Sequence, residues 1–329
     1  MRPDEQLQLD SFEVFFPFAV EATHSAEKRN IDFVHYTSAS NALRILETKT
    51  VTLRNAALMN DFSEIDYGEK CLLKAWHSQF GRGPTKEEPG KLAKLLAKIY
   101  PHLIDRIADH YDRDLVKRKT DTYLLSLAEH DDHTEGKFGR LSMWRAYGGR
   151  TNVAVVLDRS PMLRPTNGDA GFTSSVLYVR TDDFPDYFGT FVDGMEKNIE
   201  ILLRLGEDSV YQNIVQAFNV SAISTKHPGF QEEREWRIIY APWLQTSDAV
   251  NSSVIDIAGV PQRVQQIKLK DRHDVGLYGI EIPQLVKKII IGPTDTPLVL
   301  LDAFIEKLAM AGVQDAERRV TISDIPIRR

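Results

Sequence analysis

The sequence predicts an α+β fold, with a mixed and mainly antiparallel sheet decorated by helices. Three observations lead there. Short runs of β-formers, at 31–37, 153–157 and 236–240 among others, do not alternate strictly with helical segments. No fixed-period repeat runs through the chain, which argues against a solenoid. The clearest helical patterns fall in two blocks, near 63–119 and 184–222. We therefore expect an N-terminal extension over 1–30, followed by a single α+β domain over 31–329 with helical insertions at those two places.

Each element follows from its residues. Residues 31–37 read Ile-Asp-Phe-Val-His-Tyr-Thr and run into Ser38-Ala39-Ser40, a strand delivered to a helix cap. Ala42, Leu43, Ile45 and Leu46 mark a short helix, and 50–53 returns to strand character. Ile65, Leu72, Leu73, Trp76 and Phe80 recur at roughly helical spacing; a polar Gly/Pro segment over 81–90 then separates a second helical region at 91–117. Further strands are expected at 122–128, 174–179, 254–257 and 287–291, and helices at 194–205, 210–222 and 298–311.

Composition narrows the function classes. With 42% apolar residues in 329, the chain has enough for a sizeable core. The 41 Lys+Arg against 47 Asp+Glu give a formal charge of -6, so no global attraction toward phosphate backbones or anionic membranes is expected. The single cysteine, Cys71, excludes an intramolecular disulfide and a Cys-rich zinc cluster, and its place in a helical pattern suits packing. The first residues carry no signal-peptide pattern, and no run approaches 18 apolar residues. A cytoplasmic chain that neither crosses nor enters a membrane is the expectation.

Four constellations could carry chemistry, and each has a plainer structural reading. His35-Tyr36-Thr37-Ser38 ends a strand with groups that suit a ribose, whose hydroxyls donate and accept; equally, His35 is structural and Ser38 or Ser40 caps the next helix. Asn60 and Asp61, with Glu64, either face the same cleft or form a capping box. In Glu233-Arg234-Glu235-Trp236-Arg237, a strand begun by Glu233 puts Glu233, Glu235 and Arg237 on one face, where they could also be solvated charges. Trp144 and Tyr147 can meet on a helical face, as a ring platform or as core. The His130-Asp131-Asp132-His133 loop could supply a metal-dependent hydrolase, but no further ligand is placed and we assign no metal residues. P-loop and Gly-x-Ser-x-Gly signatures are absent, and the Arg318-Arg319 and Arg328-Arg329 pairs are too sparse for a nucleic-acid footprint.

Taken in order, these pieces resemble the bacterial family catalogued as domain of unknown function 2971. The resemblance rests on His35 to Ser38, Asn60-Asp61 with Glu64, Leu125-Ser126-Leu127, Trp144 with Tyr147, and Phe230 to Arg237. Ile289-Ile290-Ile291-Gly292-Pro293 and the stretch from Ser323 to Arg328 complete it. A looser similarity links the opening and closing motifs to ADP-ribosyltransferase folds, in which an early-strand histidine and a later-strand glutamate flank NAD. Tyr36, Tyr147 and Ser126 are candidates for the middle motif.

That resemblance implies an NAD-dependent ADP-ribosyltransferase or NAD glycohydrolase, toxin-like or acting in anti-phage defence. NAD would be the substrate, with no metal, a protein or nucleic-acid acceptor, and a regulatory partner. Glu235 would stabilise the developing oxocarbenium charge, and Glu233 would position the acceptor. His35 would orient the ribose in the same cleft as Glu235. Tyr36, Thr37, Ser38, Asn60, Asp61, Trp144, Tyr147 and Arg237 would complete the NAD site. The alternative is a non-catalytic nucleotide-sensing or protein-interaction module.

Overall fold

The computed structural model describes residues 3–58, 63–80, 90–147, 151–164, 171–257 and 259–326. Asn60 and Asp61 therefore lie outside the described residues, as do Arg328 and Arg329. The strands, in chain order, are β1 (Asp32–Ser38), β2 (Thr50–Asn55), β3 (Tyr123–His130), β4 (Asn152–Leu157), β5 (Phe172–Ser175), β6 (Leu177–Tyr178), β7 (Thr225–Lys226), β8 (Glu235–Tyr240), β9 (Val250–Ile257), β10 (Val260–Lys268), β11 (Val286–Ile291) and β12 (Val320–Ile322).

Ten of these strands join in one sheet, in the order β12-β11-β4-β1-β3-β2-β10-β9, with β8 paired to β3 and β5 paired to β8. The pairings β1–β3, β1–β4, β2–β3, β2–β10, β3–β8, β4–β11 and β9–β10 are antiparallel, and β11–β12 is parallel. The mixed, mainly antiparallel α+β architecture expected from the sequence is thus present.

The chain divides into two compact units. One gathers Met1–His24, Ala56–Asp121 and Ser174–Gln231; the other gathers Ser25–Asn55, Thr122–Thr173 and Glu232–Arg329. The first contains both stretches read from the sequence as helical insertions, together with the N-terminal segment. Its helices include Ser63–Phe80, Lys91–Ile99, Leu103–Thr120, Phe184–Lys197 and Glu207–Ile223. They bury Leu72, Leu92, Leu96, Ile107, Met195, Ile214 and Phe218. Gly68 lets two of them approach closely, since a Cβ there would run into the Ala222 carbonyl. Within this apolar bundle Arg118 is 1% exposed and is held by Glu69, Asn219 and the Tyr111 carbonyl and ring. Cys71 is buried, as a packing thiol should be, and burial pushes its pKa up.

The sheet belongs to the second unit. One of its faces carries a cluster of Val34, Tyr36, Ala128, Ala154, Val156 and Ile290 under Met143 and Trp144. Another cluster gathers Leu53, Tyr123, Tyr240, Val250 and Ile267. Ser38 caps the helix Ala39–Thr48, its hydroxyl accepting from the Asn41 amide. The expected strand at 174–179 is instead split into β5 and β6, and the expected strand at 254–257 begins earlier, at Val250. β10 carries Pro261 and three glutamines. Those residues hide its strand character from a propensity reading, yet pairing on both edges recruits it.

Candidate functional site

The sheet of the second unit is split beside β3. One edge of β3 is paired with β8 from Tyr123 opposite Tyr240 to Ala128 opposite Glu235. Its other edge is shared: β1 takes Ala128 to His130, while β2 takes Tyr123 and Leu124. Leu125, Ser126 and Leu127 pair with neither strand there. β1 stays in register with β4 as far as Ser38 opposite Asn152, so it is from β3 that β1 departs.

His35 stands where the strands part. Its Nδ1 lies 3.1 Å from the Ser126 carbonyl oxygen. A carbonyl only accepts, so Nδ1 holds the proton and Nε2 keeps a lone pair. The imidazole thereby supplies the partner that a continued ladder would have given this carbonyl. Burial lowers the His35 pKa, with the bond to Ser126 opposing, which keeps the ring neutral near pH 7. His35, Thr37, Leu125, Ser126 and Ile238 are all half-buried, so this part of the sheet keeps some access to solvent. Two of the neighbouring hydroxyls already have roles. Thr37 Oγ1 accepts from Asn41 Nδ2 at 2.8 Å, and Ser38 is the helix cap.

Register assigns the side chains to faces, because residues opposed across antiparallel strands point the same way. Val34, Ala128 and Glu235 form one row, and Ser126 opposes Arg237. By alternation one face carries Val34, Tyr36, Ser126, Glu235 and Arg237, and the other carries His35, Thr37, Leu125, Trp236 and Ile238. His35 and Glu235 therefore leave the sheet on opposite faces, whereas the resemblance implies a shared cleft.

The acidic motif differs from its expected form. β8 begins at Glu235, Arg234 before it takes a left-handed φ of 44°, and Glu233 ends a 3-10 turn. Glu233 is thus not on the face that Glu235 and Arg237 share. The latter two form a bidentate pair, Arg237 Nε donating to Glu235 Oε1 at 2.9 Å and Nη2 to Oε2 at 3.1 Å. Both are buried, with Glu235 6% and Arg237 1% exposed. The Glu235 charge is thus compensated by Arg237 inside the fold.

Of the aromatic candidates, Trp144 is core and Tyr147 is half-buried. Trp144 is 2% exposed, meets the Tyr36 ring edge-on at 4.9 Å and donates from Nε1 to the Phe138 carbonyl. Tyr147 packs against the same cluster. The Tyr36 hydroxyl accepts from the Arg140 amide at 2.9 Å, and burial pushes its pKa up to about 12. In the acidic loop, Asp131 caps the helix Asp132–Glu135, Asp132 pairs with Lys288, and His130 is fully buried. Among the described residues no group of three or more His, Cys, Asp or Glu is arranged to hold a metal.

Two residues that sequence reading passed over organise this region. Arg140 donates to the carbonyls of Glu129, Glu232 and Glu233 and to the Glu135 carboxylate. Glu135 in turn pairs with Arg234. Together they fix the bend that leads into β8. Their partners lie up to 99 residues away in sequence, and no local pattern marks such contacts.

Fold and site define a class: an α+β protein on a largely antiparallel sheet that is split at an early-strand histidine. The family described as protein of unknown function (DUF2971) matches residues 143–238, so that stretch is similar to it. The match includes Trp144, Tyr147, Glu233, Glu235 and Arg237, and it leaves out His35 to Ser38. No curated protein and no solved structure matches the chain. Nothing among these findings supports the looser similarity to ADP-ribosyltransferase folds. No helix of the described residues is long and apolar enough to cross a membrane.

Proposed function

We propose that this chain is a non-catalytic binding module for a nucleoside-containing ligand, NAD included, held at the split between β1 and β3. One observation carries the reading: β1 leaves β3 after Val34, so that the His35 ring turns to the Ser126 carbonyl with its Nε2 lone pair left to accept. Half-buried Leu125 and Ile238 offer an apolar surface on the His35 face, and Thr37 adds a hydroxyl beside it. The buried Glu235–Arg237 pair favours binding over turnover, because a carboxylate neutralised by a guanidinium adds little stabilisation to an oxocarbenium ion.

Calorimetric titration with NAD, ADP-ribose and adenosine, alongside an assay for free nicotinamide, tests this. Binding that weakens at least about tenfold in His35→Ala, with no nicotinamide released, is the expected result. Failure of all three ligands to bind would refute it.

A second reading is NAD-dependent ADP-ribosyl transfer or NAD hydrolysis, in a toxin-like or anti-phage setting with a macromolecular acceptor and a regulatory partner. It is favoured by the left-handed backbone at Arg234, since strained backbone gathers at functional sites. It requires Glu235 to exchange Arg237 for substrate and to reach the ribose without His35, which leaves the sheet on the opposite face. Nicotinamide release by the unmodified protein would establish it over the binding module.

A further inference from the structure

β9 closes one end of the sheet order, and among the described residues no strand pairs with its outer edge. Edge strands are normally blunted by short length, a bulge, proline or lysine. β12, at the other end, is only three residues long. β9 has eight, Val-Asn-Ser-Ser-Val-Ile-Asp-Ile, with no proline and no basic residue. Its register with β10 runs unbroken from Val260 opposite Ile257 to Ile267 opposite Val250, so no bulge twists it away. Val254 is 70% exposed on it. A long, regular, nearly uncharged edge with an exposed β-branched residue is a template for another strand.

We infer that β9 is the surface through which two copies of this chain associate, antiparallel, with Val254 on the two-fold axis. Symmetry restricts the registers. A two-fold perpendicular to the sheet keeps each face on its own side, and opposed residues share a face. Only registers with one residue opposite itself are therefore allowed. Centring on residue 253 or 254 gives the longest overlap.

The chemistry of β9 separates these two. Centring on Ser253 sets Asp256 opposite the second copy's Val250, a residue only 8% exposed in an apolar cluster, and so strands a carboxylate against the core. Centring on Val254 packs that exposed side chain against its mate. It also sets each Ser252 hydroxyl opposite the other copy's Asp256 carboxylate, which accepts from it. A centre at Asp256 would oppose like charges. Seven residue pairs form a small contact compared with the roughly 1,200 Å² of a standard stable interface, so the association is reversible and concentration-dependent.

The test uses the full chain. Cys71 is its only cysteine and is buried, so an introduced thiol is the only exposed one. Val254→Cys and Ser252→Cys are each oxidised with copper phenanthroline and run on a non-reducing gel. In the inferred register the two Val254 Cα atoms stand about 4.5–5.5 Å apart, within disulfide reach. The two Ser252 positions are about 14 Å apart along the strands. Val254→Cys is expected to form at least about tenfold more covalent dimer. Val254→Lys, which opposes two cations, is expected to weaken self-association at least about tenfold in sedimentation equilibrium, with circular dichroism confirming the fold. Equal cross-linking of the two cysteine variants, or unchanged sedimentation of Val254→Lys, would overturn the inference.

Discussion

Replacing Arg237 by methionine would leave the Glu235 carboxylate, 6% exposed, without the two guanidinium hydrogen bonds that compensate it. Removing one partner of a buried ion pair costs about 3–5 kcal/mol, mostly because the remaining charge stays desolvated. In a unit of 150–250 residues each kcal/mol lowers Tm by about 2–4 °C, so a drop of about 6–20 °C is expected. Tryptophan fluorescence in urea follows it well. Trp144, Trp236 and Trp243 all belong to the sheet-bearing unit, and only Trp76 reports from the helical one. Glu235→Gln is expected to behave similarly, since it removes the carboxylate that accepts from two nitrogens of the buried Arg237 guanidinium. The double replacement Glu235→Leu with Arg237→Met removes both charges and should recover at least half of the loss, which a double-mutant cycle measures. Single variants that each cost less than about 1 kcal/mol, or a double variant no better than the worse single, would refute a structural ion pair. An activity assay on Glu235→Gln is therefore informative only beside a measurement of its folding.

Three more outcomes follow from the geometry. His35 and His130 both have pKa values lowered by burial, so folding favours their neutral forms; that stability is complete above the unfolded value near 6.5 and is lost as pH falls below it, and urea midpoints should decrease from pH 7.5 to 5.5. A midpoint that rises over this range would contradict the assignment. Tyr36→Phe removes the acceptor for the Arg140 amide and should cost about 1–3 kcal/mol in chemical denaturation, while the intact Tyr36 phenol, with its pKa pushed to about 12, should stay un-ionised at pH 10 by ultraviolet absorbance. Gly68→Ala drives a methyl into the Ala222 carbonyl and should destabilise the helical unit by about 1–3 kcal/mol, read from Trp76 fluorescence.

The sequence by itself determined the local elements. β-formers followed by Ser38 specified β1 and its helix cap, helical periodicity specified the blocks near 63–119 and 184–222 as helical ground, and period-two alternation put Glu235 and Arg237 on one face. Such signals are written in residues a few positions apart, where backbone sterics and side-chain spacing act directly. Tertiary structure alone decided the rest. Ala128 is opposed to Val34 on one side and Glu235 on the other, and this long-range register, not any motif, set His35 and Glu235 on opposite faces. The left-handed turn at Arg234, held by Glu135 and Arg140, excluded Glu233 from the strand. The same packing made Trp144 and Tyr36 a buried edge-on pair. Register and burial depend on contacts made a hundred residues away, and their energies leave no trace in local pattern.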